Sequence, residues 1–539
     1  MDDHGRLHPH HDGDGRVPPM GARRRVTALA VLCLCALTAG LDMTITNVAL
    51  PFIARDLDAP TNELQWTVDA YNIVLAGVLV LGGALADRYG RRRVFLLSYV
   101  LFAAASVAAA LSPDTAALIA ARAVMGLGAA GVTAPALALI AAMYAPAERA
   151  GPISTFVVLG AAGLAIGPIA GGLLLDHFSW GSVFLVNVPI VAAGVAVGLG
   201  TLPESRAPTP RGGWPRLDLV GAALSVIGLT GLLFGIIEGP GRGWTQPLVL
   251  SALAAGALAL AGFVHRELRA RAPLFDVRVL GRAAVATGSV TLFLAYLLFT
   301  SFLFINPQYL QDVRGESIVA VGLLLVPFAA VFGVCSLRAQ RFLARAGPRT
   351  TIATGLVVTA LAAAVLAAAV PGPLWVSVLG SAVLGAGLSL LIAPPSTVVM
   401  NALPPEKAGD GSSLNFVSRF VGASVGVAVV GSILAGVYAR DVDDALAGLS
   451  PADAQRAEGS VQGALEVAGG LAPGAKDALT GAARDAFDRG AAVAYVTIAV
   501  LAALVAAVAW FSLPSSRAAV SAPSAAPSGA PAPPAGRRG

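Results

Sequence analysis

Two ionisable residues lie where charge is costly. Asp42 interrupts the apolar run that starts at Val26, and Arg122 interrupts the run that starts at Thr115. A charge at mid-membrane depth costs about 2.5–3.5 kcal/mol or more, so such a residue is a functional candidate by default. At 1.5 Å of rise per residue, Asp42 lies about 12 Å and Arg122 about 10 Å below the same face. Opposite charges at matched depth can neutralise each other. Burial disfavours the carboxylate's charge while a guanidinium favours it, so the pair suits reversible protonation; a permanent structural pair is the alternative. A third run opens with Gln65-Trp66-Thr67-Val68-Asp69-Ala70-Tyr71-Asn72. Trp66 reads as an interfacial anchor, and Asp69, Tyr71 and Asn72 as candidates to line a solute cavity.

Other chemistry is sparse. Of six histidines, His4, His8, His10 and His11 fall in the polar start of the chain, and no convergent His, Ser or Cys constellation for an enzyme is visible. Cys33, Cys35 and Cys335 are odd in number and lie in apolar runs, which implies neither disulfides nor a metal site. The two lysines, Lys407 and Lys476, fit no phosphate-binding loop, so no ATPase or other cofactor chemistry is expected. The net charge of +5 reflects arginine in loops rather than a nucleic-acid partner.

The elements that must position these residues are membrane spans. A chain of 539 residues that is 56% hydrophobic and 12% charged, with a mean hydropathy of +0.76, is no large soluble protein. Soluble domains carry about 45–50% apolar and about 25% charged residues. The apolar runs are read as spans over 26–51, 65–86, 93–112, 115–143, 152–175, 181–202, 218–238, 247–265, 284–307, 318–337, 350–370, 375–400, 412–437 and 491–512. Fourteen spans of about 22 residues account for roughly 308 residues, which leaves no room for a large soluble domain.

Arginine placement orients them. The loop after span 2 holds Arg88, Arg91, Arg92 and Arg93 against Asp87. The loop after span 6 holds Arg206, Arg211 and Arg216. The loop after span 8 holds Arg266, Arg269, Arg271, Arg278 and Arg282, and that after span 10 holds Arg338, Arg341, Arg345 and Arg349. All follow even-numbered spans, which makes that side cytoplasmic. The segment 437–490 follows an odd span, has five basic and nine acidic residues, and belongs outside as a solvated connection with short amphipathic helices. Both termini are then cytoplasmic, in a multi-pass protein of the cytoplasmic membrane.

Small residues mark the joints. Span 2 ends in Gly83-Ala84-Leu85-Ala86-Asp87-Arg88-Tyr89-Gly90-Arg91-Arg92, and span 10 ends in a comparable basic, glycine-containing turn, Arg345-Ala346-Gly347-Pro348-Arg349. The echo suggests parallel repeats of the kind found in transporters with a central site. Accordingly, 1–25 is expected to be a disordered tail, 26–202 a six-helix bundle and 203–283 a linker with inserted spans 7 and 8. A second six-helix bundle follows over 284–512, including 437–490, and 513–539 is a disordered tail. Span 5 reads Gly163-Leu164-Ala165-Ile166-Gly167-Pro168-Ile169-Ala170-Gly171-Gly172, a small-residue seam with glycines four apart on one face. Span 1 carries Leu41-Asp42-Met43-Thr44-Ile45-Thr46-Asn47-Val48-Ala49-Leu50-Pro51, and span 4 carries Arg122 followed by Gly126, Gly128, Ala129 and Ala130.

These motifs resemble the major facilitator superfamily, specifically its fourteen-span drug:proton antiporters of the EmrB/QacA type, from about 26 to 512. The resemblance implies an all-α major facilitator fold of two six-helix bundles plus two inserted helices. It implies Asp42 and Arg122 as proton-coupling residues and Gly83, Leu85, Asp87, Arg88, Gly90, Arg91 and Arg92 as a cytoplasmic gate. Gly163, Gly167, Pro168, Gly171 and Gly172 match the antiporter motif, which favours export over a proton-linked importer on the same fold. Asn47, from the span 1 signature, and Phe302, Gln308 and Gln311, from an outer-end pattern of span 9, join the cavity candidates. The chain departs from the family at Met125, where Gln is frequent, and at Gly181 and Ser182 before Asn187, which replace the usual Arg and Trp. The implied partners are the lipid bilayer, protons and a small amphipathic substrate such as an antibiotic, a dye or a self-made metabolite. The implied state is a monomer without cofactor or metal, powered by the proton gradient.

Overall fold

The computed structural model describes residues 20–144, 148, 150–206, 218–270, 277–370, 372–403 and 408–512. Most of both tails, and Arg211, Arg216 and Arg271, lie outside the described residues. The regular elements are all helical: α1 Ala22–Asp56, α2 Thr61–Tyr89, α3 Arg91–Ala110, α4 Thr115–Met143, α5 Ala150–His177, α6 Ser182–Leu185, α7 Asn187–Thr201, α8 Leu219–Arg242 and α9 Pro247–Arg269. After a short 3-10 turn come α10 Ala283–Gln308, a π-helical turn Tyr309–Val313, α11 Ile318–Leu324, α12 Val326–Ala369, α13 Leu374–Asn401 and α14 Ala408–Val442. The chain continues through α15 Pro451–Gly459 and α16 Val461–Gly469 to α17 Pro473–Ser512.

Eleven helical stretches among the described residues are long and apolar enough to cross a membrane, and bent α2 is a twelfth. One of the eleven includes α12, whose 44 residues reach about 66 Å, twice the roughly 30 Å hydrocarbon thickness. α12 breaks at Gly347, whose φ of 81° lies in the left-handed region, next to Pro348. That break falls in the basic turn where a loop between spans 10 and 11 is expected. Span 6 is likewise divided, into α6 and α7, because Pro189 has no N–H to continue the ladder across Val186.

α1 lies along α5, α2 along α4, and α3 along α4 and α7. In the later part α10 lies along α14 and α13, and α12 along α13 and α17. α2 meets α14, and α5 meets α11, where the two groups join. α8 touches both α2 and α14, while α9 rests on α8 and exposes Leu248, Leu250 and Leu258. Glu238 of α8 accepts from Asn62 Nδ2 at 3.1 Å, Trp66 Nε1 at 3.4 Å and Arg242 Nε at 2.7 Å. On its other side, Ser432 of α14 donates to the Ile236 carbonyl at 2.6 Å.

The segment expected as a solvated connection is a packed cap. α14 runs on to Val442 and α17 starts at Pro473, so only 443–472 lies between them, and α15 and α16 fill most of it. Ser450 and Ser460 cap these helices by accepting from Asp453 N and Gly463 N. Tyr438 donates to the carbonyls of Ala457 at 2.9 Å and Ser460 at 3.0 Å, and Gln462 donates to Asp312 of the π turn at 2.7 Å. Across the groups, Thr61 donates to the Gly459 carbonyl at 3.2 Å and Arg456 pairs with Asp58 at 3.3 Å.

Candidate functional site

Asp42 and Arg122 meet. Arg122 NH1 donates to Asp42 Oδ2 at 2.8 Å, with side-chain exposures of 1% and 0%. The guanidinium has further partners: Nε donates to the Thr67 carbonyl of α2 at 3.0 Å, and its central carbon lies 4.5 Å from the Tyr71 ring centre and 5.8 Å from that of Phe184. Such cation–π contacts are strongest when desolvated, as here. Met125 Sδ, at 3.9 Å from both Arg122 NH1 and Ser106 Oγ, is a soft acceptor where the family often has Gln. Gly126 lets α4 approach the Tyr71 backbone: a Cβ there would lie 2.4 Å from the Tyr71 carbonyl oxygen.

The second carboxylate oxygen has a partner that sequence reading missed. Asn187 Nδ2 donates to Asp42 Oδ1 at 3.2 Å and lies 3.3 Å from Ser106 Oγ. A buried Asn two residues before a proline at a span entrance was the available signal. Its position in a motif altered at Gly181 and Ser182 obscured it.

The span 5 glycines brace α1 around Asp42. A Cβ on Gly163 would lie 2.3 Å from the Leu37 carbonyl oxygen, one on Gly167 1.9 Å from Thr44 Oγ1, and one on Gly171 3.1 Å from Ile45 Cγ1. Gly172 and Pro168 are buried, and a Cβ on Gly322 of α11 would meet the Pro168 carbonyl at 3.1 Å. One helix therefore packs on the Asp42 helix and on the opposite group of helices.

The glycine-arginine turn ties α2, α3 and the end of α7 together. Asp87 Oδ1 accepts from Arg91 Nε at 2.8 Å, Arg91 N donates to the Ser205 carbonyl at 2.9 Å, and Arg92 donates to the Leu199 carbonyl. Gly90 has φ 113°, and a Cβ there would meet Glu204 Oε1 at 2.6 Å. Arg88 lies over the Tyr89 ring, Gly83 and Leu85 are half-buried, and a Cβ on Gly83 would lie 3.6 Å from Ala134 of α4.

The cavity candidates separate. Tyr71 is the platform under Arg122. Asp69 is fully buried with neither oxygen hydrogen-bonded, and Ser424 of α14 is the polar group facing it. Asn72 and Asn47 spend their amide N–H on the carbonyls of Val68 and Met43 and leave Oδ1 unpartnered. Phe302 lies tilted against Phe328 with ring centres 5.1 Å apart. Gln308 donates to the Phe304 carbonyl at 2.6 Å, and Gln311 crosses to the Val48 carbonyl of α1 at 3.3 Å. With Gln65, which donates to the Val427 and Ala428 carbonyls at 3.3 and 3.0 Å, Gln311 joins the two groups of helices toward the capped end.

Membrane-length helices in two packed groups, with a charged pair sealed inside one of them, define a polytopic membrane protein built to handle ions or solutes. The chain belongs to the Major Facilitator Superfamily, whose profile matches residues 32–427, and that superfamily comprises transporters rather than enzymes. It is 34% identical over 489 residues to the multidrug efflux pump LfrA of Mycolicibacterium smegmatis, covering 90% of this chain and 95% of that one. It is 31% identical over 514 residues to the tetracenomycin C resistance and export protein of Streptomyces glaucescens, covering 94% and 95%. Among solved structures, a bacterial homologue of the human lysosomal transporter Spinster, inward-facing and unoccupied, superposes with a TM-score of 0.64 at 17% identity, covering 92% and 98%. The xylose transporter XylE from E. coli gives 0.55 at 14% identity, covering 90% and 97%.

Proposed function

We propose that this protein exports amphipathic small molecules from the cell in exchange for protons, by alternating access between two six-helix bundles. The observation that carries the reading is the Asp42–Arg122 pair, sealed at 2.8 Å. A buried pair is weak evidence for stability, since its desolvation cost rivals its attraction, which favours a functional reason for keeping it. Asp42 takes a proton from the capped side, its hold on Arg122 weakens, and release on the other side resets it. For this to drive transport, Asp42 must bind the proton differently in the two openings.

With α5 added and α12 divided at Gly347, the twelve membrane-length helices become fourteen. In that arrangement the glycine-arginine turn and both termini are cytoplasmic and α15–α16 are outside. The bonds from Gln65, Gln311, Thr61 and Arg456 then close the outer side. The substrates are antibiotics, dyes or a self-made metabolite; a multidrug efflux pump and a tetracenomycin C resistance and export protein among the relatives support the antibiotic class. Asp69, unpaired opposite Ser424, is the group in this reading that favours a singly charged cation or a neutral donor. For a neutral substrate the drive is sufficient: 100 mV supplies about 2.3 kcal/mol per charge and one pH unit about 1.4 kcal/mol, enough for a gradient of several hundredfold, whereas one-for-one exchange with a monovalent cation uses the pH term alone.

Everted vesicles with an acidic interior test this. Adding a panel of neutral and cationic antibiotics and dyes should collapse the pH gradient with wild-type protein and leave it intact with Asp42→Asn inserted at equal level. Equal collapse by both proteins would remove Asp42 from the mechanism.

A further inference from the structure

We infer that the Asn187 side-chain amide is the reader of the Asp42 protonation state, switching between donating to the carboxylate and accepting from the acid. This rests on the proposed role of Asp42 as proton carrier. Asn187 is fully buried, and its amide ends are unequally used: Nδ2 meets Asp42 Oδ1 and Ser106 Oγ, while Oδ1 has no partner at all. An orphaned buried acceptor is uncommon in a settled network.

The ionised carboxylate only accepts hydrogen bonds, so the orientation with Nδ2 toward Asp42 is the one it requires. When a proton from water adds to Asp42 Oδ1, that oxygen becomes an O–H donor facing an N–H donor. Rotation of the amide by half a turn presents Asn187 Oδ1 to the new O–H and to the Ser106 hydroxyl, both of which can donate. Each protonation state therefore selects one amide orientation, and each orientation leaves one end of the amide unmatched. An aliphatic side chain offers Asp42 neither a donor nor an acceptor, and a carboxylate offers no donor.

Arg122 and Tyr71 are the other charged and titratable groups facing Asp42, with Cys35 beyond Tyr71. Arg122 is engaged by Oδ2, Thr67 and the Tyr71 ring, and has no acceptor to offer an acid. Asn187 is also the first residue of α7, directly after the interruption at Val186, so the switch sits at a helix start rather than in mid-helix.

Infrared difference spectroscopy of the purified full chain, taken between acidic and alkaline buffer, tests the assignment. The wild type should show a protonated-carboxyl C=O band that is lost in Asp42→Asn. It should also show a side-chain amide C=O change that shifts when the protein is made with asparagine carrying carbon-13 in the side chain. In Asn187→Leu the carboxyl band should move to higher wavenumber, as for an acid without an acceptor, and the labelled amide change should vanish. A carboxyl band that disappears with Asp42→Asn, accompanied by no labelled amide signal in the wild type, overturns the switch and keeps the proton carrier. A carboxyl region that Asp42→Asn leaves unchanged, with no component lost, overturns the carrier itself. The labelled wild type needs no mutation, so a poorly folding Asn187→Leu does not blunt the test.

Discussion

Arg122 is fixed more firmly than an ion pair requires. Its charge serves Asp42, its Nε serves Thr67 and its plane rests on Tyr71. Arg122→Lys keeps the charge but loses the fork and the planar stacking, worth about 1–2 kcal/mol together, so transport should fall about tenfold in the vesicle assay with folding intact. Arg122→Gln leaves a buried carboxylate without its countercharge, at a cost of about 3–5 kcal/mol. Thermal unfolding in detergent should show that loss, and Asp42→Asn combined with Arg122→Gln should recover most of it without recovering proton movement. Stability unchanged in Arg122→Gln would mean the pair is not sealed as described. The pairing was legible because both span ends could be located and depth is arithmetic. The facing of Tyr71 was not, since Gln65, Asp69 and Asn72, spaced four and three apart, mark one face of span 2 and Tyr71 lies on another. Asn187 was hidden for a related reason: depth arithmetic finds charges, and a neutral amide announces no cost.

Helices are held by what they lack. The glycines of α5 admit the α1 backbone on both sides of Asp42, and Gly126 admits the carrier of Tyr71. Gly167→Val pushes a branched side chain into Thr44 Oγ1 and should cost about 1–3 kcal/mol. Gly200→Ala, where nothing lies within 4 Å, should be neutral or slightly stabilising. Unfolding midpoints of the two variants in the same detergent check the contrast, and equal midpoints would mean that α5 does not brace α1. The seam itself was readable from glycines four apart, but which helix it faced was not, because spacing names a face and not a neighbour. The break at Gly347 was visible as a basic glycine-proline turn, while the continuous helical geometry on either side of it was not.

At the scale of the whole molecule, α15 and α16 bind both groups of helices at one end: Asp58 and Thr61 from one, Asp312 and Tyr438 from the other. If that end opens during transport, these bonds must part. Cysteines at Asp58 and Arg456, in a Cys335→Ser background, should support export until joined by a short bifunctional thiol reagent, and then stop it. Full-rate export by the joined protein would show that the cap moves with both groups or that this end stays closed. Amphipathic helices were legible in 443–472 from regularly spaced charges, but their seating was not, since it depends on residues far away in the chain. The position of α8 has a bearing on modularity. It satisfies Asn62 and Trp66 of α2 through Glu238 and receives Ser432 of α14 at the Ile236 carbonyl. Excising α8 and α9 would therefore not leave a self-sufficient remainder, because it would strand polar groups on both flanking helices. The α8–α9 pair is no detachable accessory, and a shortened version would have to be resurfaced along α2 and α14 before it could stand alone.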